Sequence, residues 1–385
     1  MIYLDYNATT PTDERVLKKM TPYFKDIYSN PSSVYRFAQE SKRAVEEARR
    51  NLAALLNVED SEIVFTSGGT ESDNAAIKGI ILAKKDKGKH IITSKVEHHA
   101  VLHACGALEE QGVEVTYLGV NEYGRISVEE LAKSIRKDTI LVSIMYANNE
   151  VGTIQPIKKI ADICREKRVC FHSDAVQAVG RVNVDVKALG LDLLSLSGHK
   201  FYGPKGVGAL YVKKGVKVTP LLHGGGHERG RRSGTENVAG IVGLGEAARL
   251  AKIEIESEAK RIKPLRDKLE NGILKSILEV KVNGDPDNRM FNTLNVCIKH
   301  IEGEGILINL DFEGICASSG SACTSGSLEP SHVLLAMGIP TEIAHGSLRM
   351  SLGRHTSDKE IDKVLAVLPP IVEKLRKISP FWQNK

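Results

Sequence analysis

The segment LDLLSLSGHKFYGPKG, residues 191–206, contains a short apolar strand pattern that runs directly into a loop. Ser197, Gly198, His199 and Lys200 stand at this junction, and the glycines and proline that follow favour a turn. A lysine held where a strand gives way to a loop can form a Schiff base with an aldehyde cofactor. We therefore interpret Lys200 as a candidate cofactor lysine.

Strand patterns alternate with helical patterns on both sides of this segment, from about residue 37 to residue 212. The strand patterns are EIVFTS, HIITSK, VEVTYLG, ILVSIMYA, VCFHSDA, LLSLS and GALYV. Such alternation is typical of a mainly parallel sheet that helices cover on both faces. The sequence therefore predicts an α/β fold with a large domain built on a mainly parallel seven-stranded sheet.

A second, smaller domain is expected after a long helical pattern near residues 236–278. This pattern contains Pro264, whose missing amide and bulky ring should kink or end a helix. We place the domain boundary close to this proline, so the large domain is predicted to span residues 15–262. Residues 1–14 and 263–385 are assigned to a smaller α+β domain, the first of these segments by analogy with related architectures.

Composition limits the classes of function. Hydrophobic residues make up 42% and charged residues 26% of the chain, and no apolar run reaches the roughly 18 residues of a membrane span. The net charge is only +5 and aromatic residues are 5%, which disfavours nucleic-acid binding. The N-terminus MIYLDYNATTPTDER has none of the features of an export signal, so we expect a cytoplasmic protein without a membrane partner.

Cysteines and histidines do not form a recognisable metal site. The six cysteines include no C-x-x-C pair, which disfavours both a disulfide framework and a self-contained zinc site. His223 and His227 are four residues apart, but the glycines between them disfavour the helix that such ligands need. The whole stretch HGGGHERGRRSGTEN, residues 223–237, is instead typical of a loop that contacts anions.

One cysteine differs from the others in its surroundings. Cys323 lies in SSGSACTSGS, residues 318–327, where small residues permit large backbone excursions. A cysteine in such a polar loop is a candidate reactive thiol, and the alternative is a thiol that the fold simply covers.

A glycine turn between a strand and a helix provides a candidate phosphate site. In EIVFTSGGTESDNAAIKGIILAK the amides of Gly68, Gly69 and Thr70 are predicted to lie at the helix N-terminus, where a phosphate is stabilised. The alternative is an ordinary turn in which the threonine caps the helix. The GxxxxGK[ST] pattern is absent, so a nucleotide is not indicated.

Polar residues also follow three further strands of the predicted sheet. His98 comes after HIITSK and Asn149 after ILVSIMYA, while Asp174 lies at the end of VCFHSDA and Gln177 follows it. Parallel strands place such residues at one crevice, where they meet Lys200. Together these groups predict a pocket for pyridoxal 5'-phosphate (PLP), in which the aspartate keeps the ring nitrogen protonated and the lysine moves a proton.

Arg349 is a further candidate, for the substrate. It lies in SLRMSLGR and is able to clamp a carboxylate bidentately, whereas the alternative is an arginine in a surface ion pair.

Taken in order, several motifs resemble the cysteine desulfurases of the IscS/NifS class over nearly the whole chain. They are YLDYNATTP, FTSGGTESDN, VEHHAVL, NNEVG, DAVQAVG, SLSGHKFYGPKG, HGGGHERGRRSGTEN and SSGSACTSGSLEPSHVL. The resemblance implies a homodimer with fold type I of the PLP-dependent transferases. It also implies removal of sulfur from L-cysteine, which leaves L-alanine and a persulfide on the enzyme.

The same resemblance implies a role for each matching residue. Lys200 would hold the cofactor as internal aldimine, while His98 stacks on the pyridine ring, Asp174 pairs with its nitrogen and Gln177 binds its phenolate oxygen. The phosphate would be surrounded by Gly69, Thr70, Ser197, Gly198 and His199, together with Thr235 of the partner subunit. Asn149 would also contact the cofactor. The substrate carboxylate would be fixed by Asn149 and Arg349.

Cys323 would take the sulfur as a persulfide and deliver it to a scaffold protein for iron-sulfur assembly. In some members of the class this cysteine also ligates a transient [2Fe-2S] cluster shared with the scaffold. A selenocysteine lyase or an aminotransferase on the same fold remains the alternative, because the cofactor pocket does not name the substrate. A platform that only relays sulfur is disfavoured by the intact lysine and aspartate.

Overall fold

The structure is a computed structural model that describes residues 1–319, 329–380 and 382. Its strands in these ranges are β1 (Ile2–Tyr3), β2 (Ile63–Thr66), β3 (His90–Ser94), β4 (Glu114–Leu118), β5 (Thr139–Ser143), β6 (Cys170–Asp174), β7 (Leu193–Ser197), β8 (Gly208–Val212), β9 (Val280–Asn283), β10 (Thr293–Ile298), β11 (Ile315–Cys316) and β12 (Ser347–Ser351). Its α-helices there are α1 (Glu14–Met20), α2 (Pro22–Lys25), α3 (Arg36–Leu56), α4 (Gly69–Ala83), α5 (His99–Glu109), α6 (Val128–Ser134), α7 (Ile157–Lys167), α8 (Val186–Leu189), α9 (Val238–Ser276), α10 (Gly303–Phe312), α11 (His332–Ala336), α12 (Thr341–Ala344) and α13 (Asp358–Ile378).

The largest sheet of the described residues has seven strands in the order β2-β8-β7-β6-β5-β3-β4. Its pairs are parallel except at β8, which runs antiparallel to both neighbours. Six of the strands, all except β4, are buried along their whole length, as expected for apolar strands with helices on both faces. The predicted α/β fold with a mainly parallel sheet is confirmed, and every one of the seven strand patterns forms a strand.

A second sheet contains β9, β10 and β12 in antiparallel pairs, and β1 pairs with β11 nearby. The apolar face of the three-stranded sheet packs with α10, α13 and the end of α9. Together they form a separate core that includes Leu4, Leu294 and Leu348. The described residues contain no helix with both the length and the apolar character needed to cross a membrane.

Helix α9 joins the two cores and continues through Pro264, so of the two predicted outcomes there, a kink or an end, the end is wrong. Its first half contributes Leu244 to the core of the large sheet, and its second half contributes Leu269 and Ile273 to the second core. The packing at both ends outweighs the one helical hydrogen bond that proline cannot donate. The domain limits themselves stay a prediction.

The loop of residues 223–237 is fixed to the large domain by a buried ion pair. Glu228 has a left-handed backbone with φ 49° and accepts hydrogen bonds from both Nη atoms of Arg49 at 2.8 Å. The Phe65 amide also donates to this carboxylate at 2.9 Å. In addition, Arg232 of the same loop pairs with Glu71 at the start of α4. The anions that this loop contacts within the chain are therefore side-chain carboxylates.

We expect Glu228→Gln to lower the stability of the fold by about 3 kcal/mol, because it removes the buried countercharge of the Arg49 guanidinium and leaves only the partly exposed Glu46 beside it. The midpoint of chemical denaturation of the cofactor-free protein measures this loss. Glu46→Gln is the matched control, since Glu46 also pairs with Arg49 but its side chain is 35% exposed. Equal midpoints for the two variants would contradict the assignment of Glu228 as the anchor.

Candidate active site

The turn between β2 and α4 forms a cup for an anion. Helix α4 begins at Gly69, and its N-cap residue, Gly68, has no side chain to cap the helix. A Cβ atom at Gly69 would lie 2.7 Å from Val176 Cγ2 and 3.8 Å from Ser197 Cβ, so only glycine allows this close approach. Thr70 is the second residue of the helix and the N-cap is Gly68, so the alternative in which the threonine caps the helix is wrong. The helix N-terminus therefore faces the ends of β6 and β7.

Lys200 ends a single 3-10 turn, Gly198–Lys200, directly after β7. Its Nζ atom donates to the carbonyl oxygens of Asn7 at 2.7 Å and Ala8 at 2.8 Å. His199 is held from the same segment, because its Nδ1 atom lies 3.0 Å from Thr9 Oγ1. The amine is thus placed at the sheet edge by hydrogen bonds to the N-terminal segment.

Asp174 is the last residue of β6 and is buried, with Oδ1 accepting from the Val176 amide at 2.9 Å. Burial raises the pKa of Asp174, while the Val176 amide and the positive charge of Lys200 act in the opposite direction. A second buried carboxyl, Asp73 of α4, has a pKa raised well above its ordinary value by burial and by the charge of Asp174. We expect the pair to keep one negative charge, at Asp174.

His98 is the N-cap of α5, and its Nδ1 atom accepts from the Ala100 amide at 3.1 Å. Burial, reinforced by the charge of Lys200, lowers the pKa of His98 to about 4. The imidazole is therefore neutral at physiological pH, as a ring that stacks on an aromatic cofactor should be.

Asn7 connects most of these groups, although sequence patterns did not single it out. Its carbonyl accepts from Lys200 Nζ and, at 3.0 Å, from Gln177 Nε2. Its side-chain oxygen accepts from Arg181 Nη1 at 2.6 Å, and its side-chain nitrogen donates to the Asn149 carbonyl at 3.2 Å. The motif YLDYNATTP could have indicated a role for Asn7, since it places a polar stretch directly after a strand.

Arg181 is a second residue that sequence patterns missed. It is fully enclosed, and it donates to Gln177 Oε1 at 3.1 Å and to the Lys200 carbonyl at 3.2 Å as well as to Asn7. An arginine on the turn after β6 gave no local signal of this role. It fixes Gln177 and the backbone of Lys200 in relation to each other.

Arg349 lies on β12 of the second sheet and reaches the same pocket. Its Nη1 atom donates to the Asn149 carbonyl at 3.1 Å, and its Nη2 atom forms an ion pair with Asp5 Oδ1 at 2.7 Å. Arg349 is therefore buried in the pocket and is not a surface ion pair.

Two predicted residues are not joined to this cluster. Thr235 is exposed just before α9, and no hydrogen bond or ion pair of the described residues links it to Lys200 or Asp174. Cys323 lies outside the described residues.

Comparison with known proteins decides the family. Residues 2–364 match the model of the family described as aminotransferase class-V. A cysteine desulfurase IscS of Methanosarcina thermophila is 58% identical over 379 residues, which cover 98% of this chain and 94% of that protein.

The chain belongs to the class-V aminotransferase family. Two solved structures agree with this assignment. One, described as a NifS-like protein, is 40% identical with a TM-score of 0.92 and covers 97% of this chain and 100% of its own. The other, SspA in complex with cysteine, is 38% identical with a TM-score of 0.83 and covers 93% and 100%. The predicted fold class and the resemblance to the IscS/NifS class are confirmed.

Class-V aminotransferases are PLP-dependent, and the pocket of this member fits that cofactor. The close approach at Gly69 leaves a side-chain-free cup for the phosphate, while Asp174 offers a buried carboxylate for the ring nitrogen. Lys200 lies within range of the Asp174 charge, as the aldehyde end of the same ring requires. The individual residue roles stay predictions.

Proposed function

We propose that this chain is a PLP-dependent cysteine desulfurase that converts L-cysteine to L-alanine and holds the sulfur as a persulfide on Cys323. The observation that carries the proposal is the placement of Lys200 and the buried Asp174 at one sheet edge, in a chain 58% identical to a cysteine desulfurase. A structural relative captured in complex with cysteine supports the choice of substrate.

Each residue of the pocket has a defined task in this proposal. The phosphate is held by Gly69, Thr70, Ser197, Gly198 and His199, with Thr235 of the partner subunit. Asp174 pairs with the ring nitrogen, Gln177 binds the phenolate oxygen, and neutral His98 stacks on the ring. When bound, PLP supplies the electron sink that weakens the bonds of the substrate's α- and β-carbons. Lys200 Nζ holds and returns the proton at the substrate carbon.

The substrate's carboxylate binds Arg349, beside Asn149. A guanidinium suits this task because its planar fork matches two carboxylate oxygens. The Asn149 carbonyl accepts a hydrogen bond from Arg349 Nη1, which fixes the guanidinium next to Asn149.

Cys323 receives the sulfur in a step that balances without a further reactant. Cys323 loses its proton, its thiolate forms a bond to the substrate sulfur, and the bond from that sulfur to Cβ breaks. The electron pair stays on Cβ, which takes up one proton to give L-alanine, and the proton lost by Cys323 balances this uptake. Chain geometry allows the contact. Cys323 is five residues after Ser318, whose backbone pairs with that of Arg349, and five residues span at most about 18 Å.

The partners follow from the same chemistry. We propose that the persulfide passes to a scaffold protein for iron-sulfur assembly in the cytoplasm, and that Cys323 there ligates a transient [2Fe-2S] cluster shared with the scaffold. We further propose a homodimer, because Phe24, Tyr28 and Tyr35 are all exposed aromatic side chains within one short segment of the chain, residues 24–35.

The test of function is product formation by the purified PLP-loaded protein without any partner. L-Cysteine and a thiol reductant are expected to give L-alanine and sulfide in equal amounts, and L-serine, which lacks the sulfur, is the matched control. Absence of alanine from L-cysteine would reject the proposal. Turnover of L-selenocysteine alone would indicate a selenocysteine lyase, and a requirement for a 2-oxo acid would indicate an aminotransferase.

A further inference from the structure

The ion pair between Arg349 and Asp5 has a consequence for substrate binding. Asp5 Oδ1 lies 2.7 Å from Arg349 Nη2, on the guanidinium that is proposed to bind the substrate's carboxylate. The Arg349 side chain is 4% exposed and that of Asp5 is 19% exposed. The arginine is therefore the more buried member of the pair, and the aspartate is the more accessible one.

The guanidinium has capacity left for a ligand. Among the described residues, Arg349 Nε is buried and has no hydrogen-bond partner, and Nη1 is occupied by the Asn149 carbonyl. A buried donor without a partner is costly, so its presence beside the pocket indicates a place for an acceptor that arrives with the substrate.

The backbone holds Asp5 beside Arg349. Tyr3 Oη donates to the Asp5 carbonyl at 3.1 Å, and the Ala8 amide donates to the same oxygen at 3.0 Å. Asp5 also forms a parallel bridge with Ser351, two residues after Arg349 on β12. The carboxylate is thus built into the site, and only its side-chain torsions are free to change when a ligand enters.

A second carboxylate that binds the Arg349 guanidinium is repelled by the carboxylate of Asp5. The carboxylate of an incoming amino acid and that of Asp5 would both lie within a few ångströms of Arg349 in a partly desolvated pocket, where repulsion is stronger than in water. Glu150, which is buried and accepts from Ser331 Oγ at 2.5 Å, is also near the arginine, but burial raises its pKa to about 7, so Asp5 is the main negative charge at the guanidinium.

We propose that Asp5 is a specificity-determining residue that competes with the substrate's α-carboxylate for Arg349. It neutralises the arginine in the free enzyme, and a ligand must supply a carboxylate of its own to displace it. The product L-alanine carries the same carboxylate, so the competition also weakens product binding and speeds its release. This inference rests on the proposed function, in which Arg349 binds the substrate carboxylate.

Asp5→Asn tests the inference, because it keeps an acceptor oxygen and removes the charge. The probe is L-alanine, titrated into the PLP-loaded enzyme and followed by the change in the cofactor's visible absorption. We expect the dissociation constant to fall about tenfold in the variant. Cysteamine, which lacks a carboxylate, should bind both proteins equally. Asp26→Asn makes the same change at an exposed position of the N-terminal region and should bind L-alanine like the wild type.

Arg349→Gln distinguishes a failure of the proposed competition by Asp5 from a failure of the proposed carboxylate site at Arg349. If it weakens L-alanine binding while Asp5→Asn fails to tighten it, the competition is overturned and the carboxylate site stands. If Arg349→Gln leaves L-alanine binding unchanged, both are overturned. A crystal structure of the wild type with L-alanine needs no variant: Asp5 is expected beyond hydrogen-bond distance from Arg349, and an intact ion pair beside the bound ligand would overturn the proposal.

Discussion

Replacing Lys200 by alanine is expected to remove the visible absorption band of the cofactor and to lower desulfurase activity by at least about a thousandfold. The amine is held by the carbonyls of Asn7 and Ala8 at the edge where Asp174 and the phosphate cup meet. Among the described residues, no other lysine is placed by hydrogen bonds to both of these carbonyls. The absorption spectrum after PLP loading and L-alanine formation from L-cysteine are the two measurements.

The matched control for this variant lies in the same loop. Lys205→Ala changes an exposed lysine of the YGPKG turn and should keep both the spectrum and the activity. A normal cofactor spectrum in Lys200→Ala would show that another amine holds the cofactor. Loss of both signals in Lys205→Ala would show instead that the turn as a whole is required.

The sheet and its sheet-edge residues were predictable because both depend on local pattern. Apolar runs of about five residues identify buried strands, and parallel strands necessarily carry the residues after them to one edge. His98, Asp174 and Lys200 were therefore found as a group from sequence, although each alone is an ordinary residue type.

The contribution of the N-terminal segment was not predictable in the same way. Asn7 meets Lys200 across 193 positions of sequence, and the Asp5 pair with Arg349 spans 344 positions. No periodicity encodes contacts of this range, which depend on how the two cores pack together. Arg181 illustrates the same limit, since nothing in DAVQAVGR distinguishes a buried arginine from an exposed one.

Pro264 shows the limit of local reasoning about where a helix ends. A proline inside a helix removes one hydrogen bond, and the local sequence does not reveal the tertiary packing that compensates for this loss. In the structure, Leu244 packs in one core and Leu269 in the other, so ending the helix between them would expose both apolar faces. Tertiary packing decides the outcome, as it often does against local propensity.

Cys323→Ala is expected to abolish sulfide and alanine formation from L-cysteine while leaving the cofactor spectrum unchanged. Apart from Thr235 of the partner subunit, the residues proposed to hold PLP follow β2, β3, β6 and β7, and none of them is Cys323, so cofactor binding should not need the thiol. Removing the nucleophile leaves the substrate sulfur without an acceptor, and losses of about a thousandfold or more are typical of such changes.

Cys316→Ala is the matched control, because Cys316 is a half-buried cysteine on β11, seven residues before Cys323, and has no proposed role. The Cys316→Ala variant should keep full activity. Mass spectrometry should detect the persulfide on this variant as it does on the wild type. A persulfide that persists in Cys323→Ala would assign the sulfur to another cysteine. Full alanine formation without any persulfide would show that the sulfur leaves directly, which is the behaviour of a lyase. The two variants together therefore separate the chemistry of the cofactor pocket, which the family shares, from the sulfur transfer that Cys323 is proposed to add.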